Sequence, residues 1–141
     1  MNTKLNIEHI EHNGIRYAEV IWGDTVVETT TFFSPEESSF QFGLLAHKAG
    51  FKEAAHYHKP VTRSITDLQQ MFVVQKGVVE VLLYTDEGAL LKKVVLKKND
   101  SIVLIHGTHA INVLEDMQCI SVKQGPYLGM ENDKVFVSVK E

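Results

Sequence analysis

Seven histidines stand out in the chain, at positions 9, 12, 47, 56, 58, 106 and 109, and six of them fall in three close pairs. The most informative run is Gly50-Phe51-Lys52-Glu53-Ala54-Ala55-His56-Tyr57-His58. Two histidines two apart on an extended segment share a face, because the side-chain period of a strand is two. Both imidazoles then reach one point, as a transition metal requires. His109, in Gly107-Thr108-His109 after a strand-like segment, is placed to add a third nitrogen. Three protein nitrogens leave positions open for a small ligand, whereas closed structural zinc sites take four protein ligands. The plainer alternative makes His56 and His58 surface residues of an edge strand. His106 adjoins a turn glycine with the opposite parity and reads as a neighbour of the site or a surface residue. His9 and His12 read as solvent-exposed, and His47 as a strand residue before the turn at Gly50.

The elements that must position these side chains have strand chemistry. Residues 15–22, 25–33 and 40–48 are rich in Val, Ile, Thr, Phe and Tyr, the types that suit a pleated surface. Further strands are expected at 69–75, 78–85, 90–97, 101–105, 110–114, 117–123 and 135–139. They are punctuated by Gly77, Asp86-Glu87-Gly88, Asn99-Asp100, Gly107 and Glu115-Asp116. An acid-Gly turn between apolar runs is a hairpin signal. The one helical signal is a capped turn at Ser34-Pro35-Glu36-Glu37-Ser38, with Ser34 as N-cap. Short strands separated by regular turns predict an all-β sandwich or barrel. Residues 125–129 are expected to carry the chain around one end of it.

Composition bounds the rest. At 141 residues and 15.9 kDa the chain has the size of one domain and can bury a real core. Fourteen Lys+Arg against eighteen Asp+Glu give a net charge of −4, without the basic excess that phosphate neutralisation demands, so no nucleic-acid partner is expected. The single Cys119 excludes an intramolecular disulfide and cysteine-based zinc or iron–sulfur sites; with nothing nearby to lower its pKa it reads as an inert buried thiol. No apolar run approaches about 18 residues, so no membrane partner is expected. The N-terminal residues lack a signal-peptide pattern, and a cytoplasmic location is the expectation.

The spacing of these residues resembles that of the cupins, small β-barrel proteins whose first motif runs Gly, five residues, His-x-His, a short gap, Glu, six residues, Gly. Gly50, His56 and His58 match its first half, and Gly77 its end. Where the motif has glutamate this chain has Gln70, and residues 59–69 lengthen the gap. The second motif, Gly-Asp, Pro-x-Gly and a histidine, is matched at Asp100, Gly107 and His109, with Ile105 in the proline position and one residue fewer before the histidine. The resemblance covers about residues 40–125 and looks like a subgroup of single-domain cupins without an assigned reaction. It implies a double-stranded β-helix, or jelly-roll, barrel over 1–141. Residues 1–39 would form N-terminal strands for dimerisation or the barrel edge, 40–125 the barrel core, and 126–141 a last strand.

The resemblance further implies one divalent transition metal (Fe, Mn, Ni or Zn) held by His56, His58 and His109, with Gln70 as a fourth or near ligand. Gln70 shares strand parity with Phe72 and Val74, a barrel interior; Glu53 and Asp67 are the substitute carboxylates. A neutral Gln leaves the metal charge uncompensated, which favours an anionic ligand or hydroxide. Lys59 and Arg63, in the inserted stretch, are candidate substrate-binding cations, Arg being suited to bidentate capture of carboxylate or phosphate. Three-histidine cupins include iron dioxygenases, so dioxygenase- or isomerase-type chemistry on a small anionic or carbohydrate-derived molecule is one expectation. A non-catalytic ligand-binding module and a metal-free scaffold are the alternatives. A homodimer is expected, because one barrel of this size leaves edge strands to cover.

Overall fold

Eight strands and one short helix are seen in the computed structural model, which describes residues 3–140. The strands are β1 (Ile7–His12), β2 (Ile15–Ile21), β3 (Thr31–Phe32), β4 (Gly43–Leu44), β5 (Gln70–Tyr84), β6 (Leu90–Leu96), β7 (Ser101–Leu104) and β8 (Thr108–Lys123), followed by α1 (Met130–Asp133). Six strands form one antiparallel sheet in the order β1-β2-β7-β5-β6, with β8 on β5, and it curls into a half-barrel. β3 and β4 make a separate two-stranded pair.

The long strand β5 organises the sheet. β8 pairs along the whole of one edge of it, from Gln70↔Lys123 to Tyr84↔Thr108. The other edge is divided between β7, at Gln70–Val73, and β6, at Val79–Tyr84. The register of β5 against β8 shifts repeatedly between Val74 and Val79. Such bulges bend strands and raise local twist. Gly77 lies within this stretch at φ +80, where a Cβ would run into the carbonyl oxygen of Asp116 and stand 2.7 Å from Met117 Cα. The strands expected at 69–75 and 78–85 are therefore one continuous strand, as are those at 110–114 and 117–123. Gly77 and Glu115-Asp116 bend the pair and do not end it.

Side chains alternate between the two faces of the curl. The concave face holds Ala18, Val20, Val74, Val79, Val81, Leu83, Leu96 and Ile102, with Phe72, Met117 and Cys119 packed against them. On the other face Ile21, Met71 and Val103 of the sheet pack against Phe33, Phe40, Phe42 and Leu44. Asp100 locks the turn before β7: its buried carboxylate accepts the Gly23 N–H at 2.8 Å and the Lys97 N–H at 3.0 Å.

Several expected elements are not strands. Residues 25–33 and 40–48 pair only at β3, β4 and the single bridge Lys4↔Val26, because they lie across the outer face as a cover. Residues 135–139 form no strand; the C-terminal segment meets the sheet at a single bridge, Ala89↔Lys140. Ser34 caps no helix: its hydroxyl donates to Gln41 Oε1 at 3.0 Å and accepts the Phe42 N–H at 2.9 Å. β1, not foreseen, forms the sheet edge beside β2. Among the described residues no helix is long and apolar enough to cross a membrane.

Candidate metal centre

The curl brings Gln70, at the start of β5, and His109, at the start of β8, to one cavity. Cross-strand partners share a face, so His109 stands on the concave side with its partner Leu83, which is 1% exposed. Gln70 reaches that side by the parity it shares with Phe72 and Val74. Between them lies a half-open cavity of about 250 Å³ whose wall also includes Asp67, Ile105, His106 and Gly107. Gly107 is needed for the fit, at φ +83 with Tyr17 Cε2 2.7 Å from where a Cβ would stand.

Each polar group here has a defined state. Burial, and then the charge of Lys134, holds the His109 imidazole below its ordinary pKa, which keeps the ring neutral and a nitrogen lone pair available. Gln70 donates through Nε2 to Ser121 Oγ at 2.9 Å, which leaves its carbonyl oxygen as the free end. Asp67 is held charged, below the usual carboxylate range, by hydrogen bonds from Gln69 Nε2 at 3.0 Å and Ser39 Oγ at 2.8 Å. A carboxylate thus stands at this cavity even though position 70 is neutral. His106 does not line up with His109 in role. Its Nε2 lies 2.9 Å from Asp86 Oδ1, and its ring meets Tyr17 edge-on at 5.0 Å.

The other predicted residues lie elsewhere. His56 and His58 are not on a strand: residues 51–68 are exposed throughout and carry no strand pairing. Their rings are 5.4 Å apart, so the two do approach one point. His56 Nδ1 donates to Ala54 O at 2.9 Å, and its Nε2 lies 3.7 Å from Glu53 Oε1. Neither ring borders the cavity of Gln70 and His109. Lys59 and Arg63 belong to the same exposed segment, Arg63 Nη1 reaching no farther than Val61 O at 3.4 Å. Among the described residues no three His, Cys, Asp or Glu side chains converge within the chain. The donor types nonetheless suit a divalent transition metal: imidazole nitrogens and a free amide oxygen.

The remaining histidines differ in part from expectation. His9 is half-exposed, but its Nδ1 lies 3.4 Å from the fully buried carboxylate of Glu19, which Arg16 also approaches at 3.3 Å. His47 stacks on Phe51 at 3.9 Å. Cys119 is half-buried, and burial pushes its thiol pKa up, in keeping with an inert residue. No protein-family profile, curated protein or solved structure matches the chain.

Proposed function

We propose that this chain is a cupin-type jelly-roll metalloprotein that binds one divalent transition metal through His56, His58 and His109, with the carbonyl oxygen of Gln70 as a fourth or near ligand. The observation that carries the reading is the meeting of Gln70 and His109 at one concave cavity. These are the two positions, remote in sequence, that the spacing of the glycines and histidines marks out. A divalent metal there would supply a Lewis-acid centre with positions open to a small, oxygen-rich molecule. The chain's own part is to hold His109 neutral, orient Gln70 through Ser121 and place Asp67 as a fixed negative charge at the wall. Lys59 and Arg63 then recognise an anionic or carbohydrate-derived ligand.

The test is elemental analysis of protein purified without chelator. The expected result is about one transition-metal ion per chain, lost in His56→Ala, His58→Ala and His109→Ala. Wild-type protein without metal, or His56→Ala with full metal content, refutes the assignment. A second reading, a metal-free ligand-binding scaffold, is favoured by the distance His56 and His58 keep from the cavity. It predicts small-molecule binding unaffected by chelator.

A further inference from the structure

Among the described residues β1, β6 and β8 each leave one edge unpaired, and β8 is the longest of them. β5 occupies one edge of β8, and among the described residues nothing pairs with the other, so sixteen residues present a bare edge. A bare edge of this length is a template for another strand. On its concave side Ile111 and Val113, the neighbours of His109, are 41% and 55% exposed although their partners Val81 and Val79 are buried.

The chain also carries an exposed arm, residues 51–66, that has no strand pairing. Phe51 N–H donates to Lys48 O at 3.1 Å, and beyond it the hydrogen bonds of residues 52–66 run only within the arm, while Phe51, Tyr57, Val61 and Ile65 stand in solvent. The arm is held off its own sheet at both ends: His47 stacks on Phe51 at its base, and Asp67 is tied to Ser39 beyond it. Charge favours the match. The arm has Lys52, Lys59 and Arg63 against Glu53, a net of +2; β8 has Glu115 and Asp116 against Lys123, a net of −1.

We infer that the arm of one copy of this chain pairs with the bare β8 edge of a second copy, reciprocally, so that His56 and His58 complete the cavity of Gln70 and His109 in the second copy. The inference rests on the metal reading above for its ligand, and on the edge and arm for its geometry. An antiparallel register that sets His58 opposite His109 also sets His56 opposite Ile111 and Lys52 opposite Glu115. Cross-strand partners share a face, so both histidines then point into the concave side. Pro60, which has no N–H to donate, falls beyond the start of β8, where the ladder needs no donor. The same exchange brings Lys59 and Arg63 to the rim of the site.

Two experiments decide it. In the first, equal amounts of unlabelled and ¹⁵N-labelled full-length chain are unfolded together, refolded and treated with a carbodiimide that joins lysine to carboxylate. Exchange predicts arm-to-β8 links, Lys52 to Glu115 or Asp116, of which about half join a light to a heavy peptide by random pairing. Links only within one isotope, or no such links, overturn the exchange whatever the metal content. In the second, the His56→Ala/His58→Ala double variant and the His109→Ala variant are expressed alone and together. Alone each binds no metal. Together, half the dimers are mixed and each mixed dimer has one intact site of two, so about a quarter of the wild-type metal content returns. No recovery, with wild-type protein metal-loaded, overturns the shared site and leaves the metal reading standing. Wild-type protein without metal refutes the metal reading, and the isotope experiment still decides the exchange.

Discussion

Replacing Gly77 by Ala tests the bend that forms the half-barrel. Gly77 has φ +80, and a Cβ there overlaps the backbone of Asp116 and comes within 2.7 Å of Met117 Cα. The left-handed backbone alone costs a non-glycine residue about 1 kcal/mol. The overlap is with paired backbone, which cannot rotate away as a side-chain tip does, and overpacking of this kind costs about 1–3 kcal/mol more. Gly14 supplies the control: it has nearly the same φ, +76, with nothing within 4 Å of its added Cβ. Gly14→Ala is therefore expected to lose about 1 kcal/mol and Gly77→Ala about 2–4 kcal/mol. In urea, with a slope of about 2 kcal/mol per molar, the midpoint falls by roughly 0.5 M in the first and 1–2 M in the second. Equal midpoints for the two variants refute the claim that the close passage of β5 and β8 at Gly77 sets the bend.

Asp100→Ala leaves the Gly23 and Lys97 N–H groups without their acceptor; at about 0.5–1.5 kcal/mol for each hydrogen bond lost, a loss of thermal stability is expected by calorimetry. Burial raises the pKa of Glu19 above 4.5 despite the opposing charges of His9 and Arg16. The folded chain therefore keeps this proton to higher pH than the unfolded one, and stability falls as pH rises through the window just above 4.5. Glu19→Gln removes that slope, read as the difference between the wild-type and variant stability–pH curves from urea titrations. Gln70→Glu adds a negative charge beside His109. A unit charge about 4 Å away is worth roughly 1–4 kcal/mol, so calorimetric titration with Zn²⁺ is expected to show binding at least about fivefold tighter. Arg63→Ala is expected to weaken binding of a sugar phosphate to the metal-loaded protein and to leave metal content unchanged; unaltered affinity removes Arg63 from the site.

Much of the strand content was legible in local chemistry, because β-branched runs and turn residues act within a few positions. β2, β6 and β7 lie where their composition puts them, and the turns at Gly88 and Asn99 separate the strands they were read to separate. What local chemistry missed was continuity. Gly77 looks like a turn residue, yet with β8 pairing through the bulges it bends one strand and does not divide two. The run 25–48 looks like strand and became a cover, because Phe33, Phe40 and Phe42 gain more by packing on the outer sheet face than by lengthening a two-residue ladder. The C-terminal run 135–139, as rich in valine as any strand here, found no partner edge among the described residues.

The candidate site divides in the same way. Residue types and spacing singled out the candidate ligands, a His-x-His pair and a His109 following a glycine turn, and the resemblance to cupins added a Gln where that motif has a carboxylate. Only the tertiary structure decided who meets whom. It joined Gln70 to His109 across the curl, set the charged Asp67 at the same wall, and held His56 and His58 on an arm away from both. The reason is physical. Side-chain period and turn chemistry are properties of neighbours along the chain, whereas the closing of a barrel depends on which edge finds which strand, and on β8 that edge is left for a strand the single chain does not supply.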